Sequence, residues 1–467
     1  MFENYLQRLR HLGRPARLYL LHAALLTSSL AISSLFFNLA IGALGYPRTF
    51  LGLLNTVSIG VAAALSLPLW WLAARIGLRW GLIAAAALNA AGALIFALWP
   101  APTPLLIYSA LTGGAAVLFQ VSAPPFMMRH SDAESRDHLF TTNAAINLGL
   151  AGVGSLVAGG LPTLFGRWLG AGAESALAYR ATFLVTAIGL LVSLVPLLLI
   201  VDDRRPTTDD RRPTTDDRRP TTDDDQRPEH NKPIYGEPSV GAIQNPKSKI
   251  QNPKSKIQNL TSRLPDFWQG ILDRPGPLLC LLVPPLLISF GAALLIPYLN
   301  LFFKQRFAIA DTTLGAIFAA LNVSIGVAAL LGPAISVRIG KIRTVALTQA
   351  LSIPFLLALG FSPLLAVAVG AALARAALFN MASPLYDAFA MERTEEAARP
   401  TVIGLINGAY SVGYLVAPTI STWTQKTYSF TPLFIATTIC YALAVLANYW
   451  LFIRGESTRD KRLEIRD

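Results

Sequence analysis

Arg375 stands where a cation is expensive. It lies near the middle of an apolar run, Leu373-Ala374-Arg375-Ala376-Ala377, and a charge at such depth in a membrane helix is usually tied to function. It suits contact with an anionic substrate group or an electrostatic partnership in proton coupling; a structural cation bound to carbonyls or amides is the third reading. On a helix, Phe379 and Tyr386 follow at i+4 and i+11 and share its face. One cation and two aromatic rings would suit an amphipathic organic molecule. Carboxylates are scarce within the apolar runs. Asp387 is the proton-coupling candidate, yet it lies twelve residues beyond Arg375, about 18 Å along one helix. The two cannot pair directly. Asp311, before another run, reads as a helix-start residue. His130 and His138 cluster with Asp132, Glu134 and Asp137 in a short polar loop. A metal site is conceivable there, and a solvated loop is the simpler reading, so no metal or cofactor is implied.

These residues need elements that hold them in a bilayer. Hydrophobic residues make up 53% of the 467 and charged residues 14%, against roughly 25% charged in soluble domains. Twelve apolar runs approach the ~20 residues that span a bilayer core: 18–44, 50–73, 80–99, 104–128, 139–165, 177–201, 277–303, 312–336, 342–361, 363–390, 401–424 and 430–453. An all-α membrane protein follows. Arg8, Arg10, Arg14 and Arg17 precede the first run without a cleavage signal, so the first helix is expected to remain as an anchor. Cys280 and Cys440 both lie in apolar runs and suggest no disulfide framework.

Lysine and arginine set the expected topology. With both termini cytoplasmic, the inside segments other than the long central loop hold 18 of them and the outside loops 6. The net charge of +12 is thereby scattered over short loops and termini. That distribution offers no contiguous nucleic-acid face.

The chain also repeats itself. Leu51-Gly52, VSIGVAA from Val57 and Arg75-Ile76-Gly77 return as Leu314-Gly315, VSIGVAA from Val323 and Arg338-Ile339-Gly340. Asn38 pairs with Asn300, and Asn143-x5-Gly149 with Asn407-x5-Gly413, at displacements of 262 and 264. Whole six-helix lobes are duplicated. Between them DDRRPTT occurs three times and IQNPKSK twice, a Pro-containing, apolar-poor stretch that reads as a disordered linker. The expected organisation is a cytoplasmic N-terminus 1–17, a first lobe 18–201, a linker 202–275, a second lobe 276–453 and a cytoplasmic tail 454–467.

The turns Arg75-Ile76-Gly77-Leu78-Arg79 and Arg338-Ile339-Gly340-Lys341-Ile342-Arg343 resemble the loop signature of the major facilitator superfamily, of bacterial type. The resemblance implies twelve transmembrane helices in two pseudo-symmetric six-helix bundles and a gating role for Arg75, Gly77, Arg79, Arg338, Gly340 and Lys341. The signature's acidic position falls on Ala74 and Val337, so only the turn and its basic anchor carry over. Because spans one, five, seven and eleven line the cavity in that family, it also implies cavity roles for Asn38, Asn143, Asn300 and Asn407. The glycines Gly149, Gly152, Gly154, Gly159 and Gly160 resemble the family's exporter-associated motif, or else allow close helix packing.

The resulting expectation is a monomeric secondary transporter in the cell membrane, moving a small amphipathic organic molecule, with efflux, proton-coupled or not, favoured. Uptake or facilitated passage of a neutral solute such as a sugar is the alternative. A receptor or membrane enzyme is the contrasting class, though no nucleotide-binding glycine loop or catalytic cluster marks one. Substrate chemistry is expected in the second lobe, where Arg375 stands without a counterpart cation.

Overall fold

Twelve long apolar segments have one economical solution in lipid, the helix, because it satisfies its own backbone. The computed structural model describes residues 12–132, 135–200, 276–394 and 399–454. The expected linker 202–275, the tail from 455, residues 1–11 and Glu134 lie outside the described residues. The first lobe contains α1 (Arg14–Ala43), α2 (Arg48–Ile76), α3 (Leu78–Leu98), α4 (Pro102–Arg129), α5 (Arg136–Trp168) and α6 (Ala176–Leu198). In the second, α7 comprises Gly276–Leu295, a 3-10 turn Ile296–Tyr298 and Leu299–Phe307. It is followed by α8 (Asp311–Ile339), α9 (Lys341–Phe361), α10 (Leu365–Glu392), α11 (Arg399–Tyr428) and α12 (Thr431–Asn448, continued by a π turn to Ile453). All twelve spans are long and apolar enough to cross a membrane.

Several helices outrun the apolar runs that announce them. α5 extends from Arg136 to Trp168, beyond 139–165 at both ends. Apolarity marks the hydrocarbon core, whereas backbone hydrogen bonding continues into the interface, where polar residues can end a helix. Duplication is visible in the boundaries themselves. Helices α2, α3 and α4 start and stop at 48–76, 78–98 and 102–129, and α8, α9 and α10 at 311–339, 341–361 and 365–392, each 263 residues on. The shared hinges are Gly77 and Gly340, with φ of 93° and 87°. At these angles a side chain would be strained, and glycine lets one helix end and the next begin at once. Both cysteines are free.

The two ends of the bundle are termed here the basic-turn end, holding Gly77 and Gly340, and the far end. In the first lobe α3 and α6 run antiparallel and are tied at both. Arg79 on α3 donates to the carbonyls of Leu197 (2.9 Å) and Leu198 (3.0 Å) where α6 stops. Arg180 on α6 donates to those of Ala97 (2.8 Å) and Leu98 (3.2 Å) where α3 stops. Carbonyls in the last turn of a helix have no partner within it, and each guanidinium supplies one to its neighbour. Between these ties Phe96 stacks on Phe183 with centroids 3.8 Å apart. Arg79→Ala should therefore cost about 1–2 kcal/mol of lobe stability. A thermal-denaturation midpoint should fall, with partial recovery in Arg79→Lys; an unchanged midpoint would show the tie to be idle.

Candidate functional site

The two lobes meet at the far end through the asparagines that duplication relates. Asn38 on α1 and Asn300 on α7 are both buried. The Asn38 amide donates to Oδ1 of Asn300 at 2.8 Å and to the Pro297 carbonyl at 2.5 Å. The Asn300 amide donates to the Leu35 carbonyl at 2.7 Å. Each asparagine thus bonds the carbonyl three residues before its mate. The break in α7 helps, since Pro297 carries no N–H and interrupts the helix where its carbonyl must be reached.

An ionic knot lies beside it. Lys304 pairs with Asp311 at 2.7 Å, their side chains 9% and 2% exposed. Lys304 also bonds Glu174 and the Ile309 carbonyl. The Tyr179 hydroxyl on α6 donates across the lobe boundary to Asp311, 3.1 Å from Oδ2. Asp311 begins α8, as expected, and its carboxylate is shared between Lys304 of its own lobe and Tyr179 of the other. On the α2–α11 side, Arg48 donates to the Gln425 carbonyl at 3.0 Å and Thr56 to that of Leu415 at 3.3 Å.

Small residues bring the backbones close enough for these bonds. A Cβ on Gly159 of α5 would stand 2.9 Å from the Asp311 carbonyl, and one on Gly315 of α8 would stand 2.6 Å from that of Ser155. Gly154 is equally tight against Ser28 of α1, while Gly149 and Gly160 have open space. The glycines of α5 that are tightly engaged serve close packing. Toward the basic-turn end the same faces part. The α8 stripe that meets or approaches α5 at Gly315, Ala319, Asn322 and Gly326 continues to Leu330 and Val337. Those two side chains are 78% and 87% exposed. On α2, Leu67, Trp70 and Trp71 are likewise exposed. The described halves are joined at the far end and diverge at the other.

Beneath the asparagine closure lies a cavity of about 380 Å³ in the first lobe, within the size range of small-molecule sites. Ser33, Ser34 and Asn38 of α1, Asn55 and Ser58 of α2, Asn89 of α3, Ser109 and Thr112 of α4 and Thr186 of α6 give it a polar wall. Phe37 and Tyr108 add an aromatic face, their rings 5.4 Å apart. No charged side chain lines it. The second lobe fills the corresponding space. At the 263-residue displacement Asn55, Ser58, Asn89, Ala93 and Ser109 become Phe318, Leu321, Ser352, Leu356 and Ala372. Leu321, Leu356 and Ala372 are core residues. Thr112 becomes Arg375.

Of the seven expected cavity residues only Asn38 lines this wall. Arg375 is buried within the second lobe, donating to the Tyr441 hydroxyl at 3.0 Å. Its guanidinium lies 5.3 Å from the Phe379 ring and 5.9 Å from that of Tyr441, which stack on each other. Its Nε has no partner. Tyr386 does not join this cage; its hydroxyl donates to the Leu281 carbonyl at 2.7 Å, fastening α10 to α7. Asn143 and Asn407 lie in the basic-turn halves of α5 and α11, Asn143 with an unpaired buried Oδ1 and Asn407 exposed. Asp387 is half-buried on α10, remote from the cavity wall. Among the turn residues, Arg75 covers the Trp71 ring at 3.7 Å, Arg338 is exposed and Lys341 pairs with Glu392. In the histidine loop, Asp132 accepts from the Ser135 amide at 2.8 Å, just before α5 begins. Tyr179, Lys304, Ser109 and Thr112 escaped the sequence reading. The displacement that relates Thr112 to Arg375 was a signal pointing to the last of them.

Two six-helix lobes sealed at one end over a solute-sized cavity define a secondary carrier of the alternating-access class. The chain belongs to the major facilitator superfamily: the family model described as Major Facilitator Superfamily matches residues 20–284 and 285–467. Among solved structures it is similar to a bacterial homologue of the human lysosomal transporter Spinster, inward-facing and occupied, with a TM-score of 0.66, 13% identity and coverage of 95% of this chain and 98% of that one. It is similar to a bacterial homologue of the iron transporter ferroportin, inward-facing, with a TM-score of 0.65, 14% identity and coverage of 94% and 98%. A D-xylose-proton symporter gives 0.62, 16% identity and coverage of 94% and 97%. At such identities the likeness carries the fold alone. No curated protein matches the chain by sequence.

Removing one member of a buried ion pair typically costs about 3–5 kcal/mol. Asp311→Asn should therefore loosen the far end. In a background without Cys280 and Cys440, a cysteine at Ser34 should react faster with an impermeant thiol reagent applied from the far side. Equal rates with and without Asp311→Asn would contradict a sealing role for the knot.

Proposed function

We propose that this carrier moves a small, uncharged, hydrogen-bonding organic molecule, of the polyhydroxyl or amide-bearing kind, down its own gradient across the cell membrane. The cavity wall carries the reading: serine, threonine and asparagine offer donors and acceptors from five helices, and no ion is there to pair with a charged cargo. Phe37 and Tyr108 would face the apolar side of a ring. An amphipathic cargo on the α10 stripe has less support, since Phe379 stacks inside the second lobe and Tyr386 is bonded to α7. Proton coupling would need a group that titrates near neutral pH in contact with the moving site, and the cavity wall has no carboxylate or imidazole.

Topology follows from the lysine and arginine bias. With both termini in the cytoplasm, the basic-turn end is the inner face, and the conformation described is inward-facing. Opening the far end requires the Asn38–Asn300 bonds and the Asp311 knot to break while the parted faces of α2, α5, α8 and α11 close. Bound solute lowers the barrier by bonding to Asn38 and its neighbours as they lose their partners.

Losing one wall hydrogen bond worth roughly 1.4 kcal/mol weakens binding about tenfold. Asn89→Leu and Thr112→Val should each raise the half-saturating solute concentration by that order in proteoliposome counterflow with a panel of neutral polyols and nucleosides. Initial rates should not respond to an imposed pH gradient. Acceleration by the gradient, or efflux confined to lipophilic cations, would overturn the reading.

A further inference from the structure

At the basic-turn end of the second lobe a cleft of about 480 Å³ opens between the α8–α9 turn and the end of α10. Lys341, Arg343 and Arg393 line it against a single carboxylate, Glu392. Lys341 is paired with that carboxylate, and the Arg393 guanidinium carbon lies over the Phe389 ring, 4.7 Å from its centroid. Arg343 is exposed and makes no hydrogen bond or ion pair among the described residues. Helix α9 starts at the cleft, and Gly340 supplies no side-chain cap for its first amides, which favours an anion there.

The fold does not need these cations. In the first lobe the same turn is built with the same bonds: the Gly77 amide to the Ala73 carbonyl and the Gly340 amide to the Ser336 carbonyl, both at 3.0 Å. Yet the residues 263 positions before Lys341 and Arg343 are Leu78 and Trp80. The first-lobe cleft beside that turn is apolar, formed by Ile76, Trp80, Ile83 and Ala84. The two copies place their cations differently: the first lobe has Arg79, Arg129 and His130 where the second has Ile342, Glu392 and Arg393, and only in the second do Lys341 and Arg343 flank the start of the helix after the turn.

We propose that this cleft is a binding site for the phosphate of an anionic phospholipid headgroup. The source is lipid because of where the cleft lies. Leu347, one turn beyond Arg343 on the same face of α9, is 47% exposed, as a lipid-facing side chain would be. Tyr449 and Trp450, on the last turn of α12 at the same end, are exposed aromatics at the level where membrane proteins place their interfacial belt. A headgroup phosphate at that level meets Arg343 and Lys341 while its acyl chains run down the apolar flank.

Native mass spectrometry of the full chain, released from mixed phosphatidylcholine–phosphatidylglycerol nanodiscs, tests the site. The wild type should retain phosphatidylglycerol in preference to phosphatidylcholine. Arg343→Gln should weaken retention about fivefold, the typical worth of one cation near an anionic surface. Arg17→Gln removes an exposed charge from the same end of the first lobe and should leave retention within about twofold of wild type. Equal losses in both variants would reduce the effect to diffuse surface attraction. No loss in Arg343→Gln, or displacement of the lipid by millimolar inorganic phosphate, would likewise overturn the proposal.

Discussion

Two primary amides buried in a low-dielectric bundle must find partners, and here they can do so only in each other's lobe. Asn38 and Asn300 exchange bonds with the carbonyls of Pro297 and Leu35 around the pseudo-twofold axis. Unmade, these bonds would leave both buried amides without partners, each at a cost of about 1–3 kcal/mol. The far end is therefore bistable: bonded and closed, or parted with solvent or solute supplying the lost partners. The glycine crossing of α5 and α8 and the Asp311 knot depend on the same closure, since both need the lobes within van der Waals reach at that end.

Symmetry explains the scaffold, and departures from symmetry explain what it can carry. Six helices keep their boundaries across 263 residues, and the glycine turns keep their bonds. The interiors diverged. Where the first lobe keeps hydroxyls and amides around an open space, the second packs Leu321 and Leu356 and places Arg375 against Tyr441 and Phe379. Arg375, deep in its span, is held inside one lobe by a hydroxyl and two ring faces, away from the cavity. The cavity that meets the closing asparagines is left neutral.

Much of this architecture was legible beforehand. Hydropathy alone gives twelve spans because lipid leaves the backbone no other economical conformation, and the Asn38–Asn300 relation was visible as a displacement. That the two would touch was not, because a repeat fixes equivalence and not distance. The cavity was harder still. Ser33, Ser109 and Thr112 are unremarkable in sequence, since hydroxyls on membrane helices usually bond back to their own carbonyls, as Thr112 does to Ser109. Tyr179 and Asp311 are 132 residues apart and share no pattern. Arg375 drew attention because intramembrane charge is rare; its burial among aromatics depends on α12, whose contribution no local spacing reveals. Tyr386 faces the side of α10 that meets α7, which helical periodicity cannot distinguish from a cavity face.

The account stands on solute occupying the neutral first-lobe cavity beneath the asparagine closure. Its most direct test is a single cysteine at Ser109, in a chain lacking Cys280 and Cys440, labelled by an impermeant thiol reagent in oriented vesicles. Labelling should proceed from the basic-turn side, be slow from the far side, and be suppressed by the transported neutral solute. Labelling that is equal from both sides, or indifferent to a solute the protein demonstrably transports, would contradict it.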